Sequence, residues 1–250
     1  MSKYKWTGVL GLALVLIAGA ALQQATADDH EKEPAEAAEE KPAEREVDIK
    51  VISDPSHEKM KQKAPATYEA LFKTTAGDFT VAVTREWAPN GADRFYNLVK
   101  NGYYDGNRFF RVVPGFVVQW GLHGDPAVNK AWVNNREAGQ IKDDKVKKSN
   151  TIGRLVFASA GPDTRTTQLF INFGNNKRLD GMGFSPFGEI KGEGMKVVNK
   201  LHDGYGEPPG AIQSAIIEKG NAILDEYFPK LDAIKTATIV QNKQEEKEGE

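Results

Sequence analysis

Phe109-Phe-Arg-Val-Val-Pro-Gly-Phe-Val-Val-Gln119 decides how the chain is read. Two apolar runs flank Pro114-Gly115, the residue pair of a tight turn, so the stretch reads as a β-hairpin. Arg111 interrupts the first run, and Gln119 stands eight residues on in the second. Such an Arg either points outward with its stem lying on apolar surface or serves as a fixed donor beside Gln119 and the Phe116 ring. Working outward, Phe79, Val81 and Val83 alternate with Thr80 and Ala82, which predicts a half-buried strand paired with 70–75. Further strands are predicted at 153–160, 169–173, 184–190 and 234–240. Helices are predicted from Ala88 to Asn101, from Gly194 to Leu201, and from Asn221 to Phe228. Residues 122–150 are rich in Gly, Asn, Lys and Asp and read as a long surface loop. Many short strands with a few helices indicate a mainly β protein, a closed barrel capped by helices.

Composition removes whole classes of chemistry. The 250 residues contain no Cys, so disulfides, thiolate metal sites and a thiol nucleophile are excluded. The four His, at 30, 57, 123 and 202, are scattered and make no zinc motif. Lys and Arg number 33 against 35 Asp and Glu, with no basic stripe for nucleic acid. The G-x-S-x-G elbow, the P-loop and the dinucleotide fingerprint are all absent.

The first 50 residues differ from the rest. Two lysines, an uncharged run from Gly8 to Leu22 and Ala25-Thr-Ala27 make a secretory signal cleaved after Ala27. An uncleaved anchor is the alternative. Residues 28–50 hold ten acidic and four basic residues. Hydrophobicity this low predicts a disordered linker over 28–65. The body is placed at 66–242 and a charged tail at 243–250. The signal places the protein in a periplasm or outside the cell. The chain is read as a monomer that meets a membrane only through its signal before cleavage.

The 109–119 hairpin resembles the signature of cyclophilins. So does Phe157-Ala-Ser-Ala-Gly-Pro-Asp-Thr-Arg-Thr-Thr-Gln-Leu-Phe-Ile171, and Leu179-Asp-Gly followed by Pro186-Phe-Gly188 continues the match in order. The resemblance implies an eight-stranded antiparallel barrel, peptidyl-prolyl cis-trans isomerase activity and no cofactor or metal. Its partners would be proline-containing peptides and folding proteins. Arg111 matches the family's catalytic arginine, and Gln119 the glutamine beside it. Phe116, Val117, Phe170 and Leu179 match the proline pocket. Ala158 and Ser159 match the stretch whose backbone holds the peptide, Gln168 matches a groove glutamine, and Ala160 lines a neighbouring pocket. Two departures stand out. Arg178 replaces a frequent pocket Trp, which weakens the expected hold on cyclosporin. The family's groove His falls near Gly183 or Phe184. A proline-motif-binding chaperone with little turnover is the alternative function.

Overall fold

Period-2 alternation sets the first hairpin. In the computed structural model, which describes residues 45–240, strands β1 (Thr67–Thr74) and β2 (Gly77–Thr84) bury every second residue. They pair from Thr67↔Thr84 to Thr74↔Gly77. The inward residues include Phe72 and Phe79, whose rings stack at 5.1 Å. Six more strands follow: β3 (Arg111–Val113), β4 (Val117–Trp120), β5 (Arg154–Phe157), β6 (Leu169–Asn172), β7 (Pro186–Ile190) and β8 (Ile234–Val240). All pair antiparallel, in the order β3-β4-β6-β5-β7-β2-β1-β8.

The expected closed barrel needs correction. The eight strands form an open half-barrel. Its edge strands, β3 and β8, share no ladder; the chain just before each makes one isolated bridge, Arg108↔Ala233. Around it, Phe109 N–H donates to Asp232 O and Gly106 N–H to Ile234 O. Closure therefore stops at a few hydrogen bonds ahead of both strands.

The concave face is filled by Phe72, Trp120, Tyr104, Phe95 and Phe187. Helix α2 (Pro89–Lys100) lies on it through Phe95, Leu98 and Val99. Pro at its first turn starts this helix, and Asp144 accepts from Asn90 N–H and Gly91 N–H, both at 3.0 Å. A second apolar cluster joins Phe110 and Leu122 to Ile216, Ile223 and Leu224 of helices α7 (Gln213–Lys219) and α8 (Asn221–Tyr227).

Two loop expectations also fail. Within 122–150 the chain forms α3 (Pro126–Asn134) and α4 (Arg136–Gly139). Asp125 Oδ1 caps α3 by accepting from Ala127 N–H, and Val128 and Trp132, one turn apart, are buried. Polar composition hid a capped helix start at Asp125-Pro126. The linker expected over 28–65 does not extend through residues 45–65. Helix α1 (Ile49–Ile52) and a 3₁₀ turn at Glu58–Met60 place Val51, Ile52, Met60 and Ala64 in the main core. The expected signal, residues 28–44 and the expected tail at 243–250 lie outside the described residues.

Candidate active site

Strand register brings the sequence-predicted residues together. Arg111 pairs with Gln119, Gln119 with Phe170, and Phe170 with Val156. Directly opposed residues point to the same face of a sheet, so one row crosses β3, β4, β6 and β5 on the convex side. The neighbouring row, Val112, Val118, Ile171 and Leu155, faces the core. Both faces of these strands are apolar because the outer row floors a groove. Val117, Val156, Phe170 and Leu179 form its buried base, with Phe116, Ala158 and Phe184 packed on them. The Phe170 and Phe184 rings meet edge-on at 5.7 Å.

The polar side of the groove is a chain of hydrogen bonds. Arg111 Nη1 donates to Gln119 Oε1 at 3.0 Å, and Gln119 Nε2 donates to Gln168 Oε1 at 2.9 Å. Gln119 is buried, whereas the Arg111 side chain keeps 22% exposure at the rim. The Arg111 guanidinium carbon sits 5.3 Å from the Phe116 ring centre. A charged planar donor thus stands beside an apolar cup with its inner edge fixed. Ser159 and Ala160 line an adjoining hollow of about 360 Å³ with Phe184 and Met182. The Ala158 N–H is taken by Gln168 O and the Ala160 N–H by Thr164 Oγ1. Two of the three amides of this edge are thus already engaged within the fold.

Comparison with known proteins agrees with this geometry. Residues 70–219 match the family described as cyclophilin type peptidyl-prolyl cis-trans isomerase/CLD. The chain belongs to the cyclophilins. Peptidyl-prolyl cis-trans isomerase cypE of Dictyostelium discoideum is 36% identical over 132 residues, covering 52% of this chain and 81% of the relative. Peptidyl-prolyl cis-trans isomerase A of Dickeya dadantii is 31% identical over 156 residues, covering 60% and 80%. A crystal structure of a cyclophilin-type isomerase from Cryptosporidium parvum superposes with a TM-score of 0.51 at 21% identity, over 70% of this chain and 99% of that one. The same parasite protein was also crystallised in the presence of the dipeptide Ala-Pro. This cyclophilin is accordingly a peptidyl-prolyl cis-trans isomerase.

Several residues that shape the cyclophilin's groove escaped the sequence reading. Val156 completes the cup, beside Phe184, which the resemblance had set near the family's groove His. Glu207 grips Arg111 from outside: its two oxygens accept from Nε at 2.7 Å and Nη2 at 2.8 Å. That pairing holds the Glu207 carboxyl below its ordinary range. Its only sequence signal was an acid directly before Pro208-Pro209-Gly210. Arg178 places its guanidinium carbon 4.9 Å from the Phe116 ring centre. Phe116 thus carries two cations, each worth about 0.5–1 kcal/mol at an exposed site.

A polar network holds the cup's loops. Asn176 Nδ2 donates to Phe116 O at 2.9 Å, and Asn150 Nδ2 to Phe184 O at 2.9 Å. Asp180 accepts from Ser149 Oγ at 2.5 Å, Asn150 N–H at 2.8 Å and Asn150 Nδ2 at 2.7 Å. Burial raises the Asp180 carboxyl, but these hydrogen bonds outweigh it and hold it below the ordinary carboxylate range. A depressed carboxylate adds stability that is complete above its unfolded value and fades as pH falls through the folded one. Asp180→Ala strands the Asn150 donors and is expected to cost about 1–3 kcal/mol. Urea unfolding at pH 7 and at pH 3 checks this: the gap to wild type should shrink at the lower pH. An equal gap at both would show that the charge of Asp180 contributes nothing.

Proposed function

We propose that Arg111 is the catalytic donor of this isomerase, with Gln119 orienting it and Phe116, Val117, Phe170 and Leu179 holding the proline ring. The observation that carries this is the Arg111–Gln119 hydrogen bond beside the Phe116–Phe170–Leu179 cup. An X–Pro bond resists rotation by about 18–20 kcal/mol because twisting it breaks amide resonance. In the twisted state the proline nitrogen regains its lone pair and accepts a hydrogen bond. A fixed guanidinium aimed there binds the transition state better than the planar ground state. No bond to substrate is made or broken, so no nucleophile is required. The cup immobilises the pyrrolidine ring while the carbonyl side turns, and it keeps away water, which favours the planar, more polar amide.

Phe116→Ala should act on binding first. Losing one aromatic wall removes about 1–2 kcal/mol of apolar contact, or about five- to thirtyfold in KM. Saturation kinetics on a proline peptide checks it; a kcat loss with unchanged KM would place Phe116 outside the ring-binding cup.

The substrates proposed are X–Pro bonds of proteins folding after export, in a periplasm or outside the cell. The support is the signal-like Lys3–Ala27 with its Ala-Thr-Ala27 end. Intact-mass measurement of exported material should give a chain starting at Asp28. Recovery of Met1–Ala27 on the protein in a membrane fraction overturns cleavage and favours the uncleaved anchor.

A further inference from the structure

The Arg111 guanidinium divides two spaces of different chemistry. On one side is the apolar cup, with the Phe116 ring against it. On the other is a hollow of about 530 Å³ lined by Arg111, Glu207, Pro208, Gly210, Ala211 and Gln213. Its floor is the short helix α6 (Pro208–Ala211), for which Glu207 is the preceding cap residue. This helix lies directly on the arginine stem. A Cβ at Gly210 would stand 2.8 Å from Arg111 Cδ and 3.2 Å from Cγ, so the absence of a side chain there is what allows the approach. Pro209, buried beneath, anchors the segment.

Glu207 is held in place but remains available. Its two oxygens each accept one hydrogen bond from Arg111, yet a carboxylate has about four acceptor positions. Its side chain is 58% exposed and lines the hollow, so the unused positions are open to a ligand there. Its charge is locked on by the guanidinium beside it. At the cup, the Arg178 guanidinium is positive and lies at the Phe116 ring. A substrate spanning the groove therefore meets cations at the cup and an anion beyond Arg111.

We propose that Glu207 is a specificity-determining residue, and that the hollow is a subsite for a lysine or arginine side chain flanking the isomerised proline. The proposal rests on Arg111 marking the reacting bond. A basic side chain entering the hollow would donate to the free Glu207 positions while its stem packs on Pro208 and Ala211. An acidic one would face the carboxylate directly. An ion pair this exposed changes affinity by about two- to fivefold, and it weakens with salt.

The test uses the full chain and two peptide series. Each series varies one residue flanking the proline, before it or after it, among Lys, Ala and Glu. Exchange rates by NMR give kcat/KM for each peptide with wild type, Glu207→Gln and Arg111→Ala. At one flanking position the Lys-to-Glu ratio should be about fourfold or more with wild type at low salt. It should fall to near one in Glu207→Gln and in 0.5 M NaCl. A wild-type ratio near one at both positions, or a ratio that Glu207→Gln leaves within 1.5-fold, overturns the proposal. Failure of the underlying reading looks different: Arg111→Ala would then turn over the Ala peptides as wild type does.

Discussion

Arg111→Ala is expected to slow exchange of a proline peptide by about 10²–10³-fold, the loss that follows removal of one preorganised donor at a developing charge, or about 2.7–4 kcal/mol. The fold should survive. Arg111 lies on the edge strand β3, its side chain is at the groove rim, and the Glu207 carboxylate it leaves behind is open to solvent. The structural cost is confined to Gln119 Oε1, which loses its Arg111 donor and is worth about 1 kcal/mol. Arg111→Lys should recover only part of the rate. An ammonium keeps the charge, but it cannot hold Gln119 and Glu207 with one plane and still present a further N–H to the proline nitrogen. NMR exchange at matched enzyme concentration, with circular dichroism as the folding control, reads both. A folded Arg111→Ala that exchanges within about threefold of wild type would remove Arg111 from the chemistry. It would favour the role of a proline-motif binder whose groove holds peptides and turns them over slowly.

What the sequence revealed and what it hid follow from the range of each interaction. Alternation in Phe79–Val83 is a local signal and it located β2. The Pro114-Gly115 turn fixed Arg111 opposite Gln119, because a short turn sets the register of its hairpin. The apolar row on the second face of β4 and β6 was visible only as unbroken hydrophobicity, since period-2 logic cannot separate a buried strand from one that floors a groove. Closure was not legible. It depends on whether segments 125 residues apart in sequence, at Arg108 and Ala233, continue their single bridge into a ladder, and no local pattern reports that. Glu207 was hidden for the same reason: it reaches Arg111 across 96 positions.

Ile52→Ala is expected to cost about 2–5 kcal/mol, the range for deleting a fully buried aliphatic side chain, although composition placed this residue in a disordered linker. Ile52 has no exposed surface, and it packs in the main core with Val51, Met60 and Ala64. The polar, charge-mixed sequence around it conceals how the segment is held. Trp132 Nε1 donates to Ile52 O at 2.7 Å, Asn97 Nδ2 to Gln62 O at 2.7 Å, and Ala64 N–H to Asp93 Oδ1 at 2.9 Å. Arg45 spans to Asp105 at 2.7 Å and donates to Val99 O at 3.1 Å. These partners lie in the body, so the ordering is imposed from outside the segment. Sequence windows weigh only the segment's own hydrophobicity and therefore miss it. The substitution leaves the Ile52 carbonyl on Trp132, so it reports packing alone. Ile49 supplies the control within the same helix: it is 48% exposed, and Ile49→Ala should fall within about 0.5 kcal/mol of wild type. For a domain of this size the Ile52 loss lowers Tm by about 5–15 °C. Exchange per folded molecule should be unchanged, because Ile52 belongs to the main core and touches none of the groove cluster. Thermal and urea unfolding of both variants decide the matter, and equal stabilities for Ile52→Ala and Ile49→Ala would return residues 45–65 to the linker. A chain shortened to begin at residue 66 carries the same argument to its limit. It exposes the core surface under Val51, Ile52, Met60 and Ala64 together, and it should unfold well below a chain that begins at residue 45.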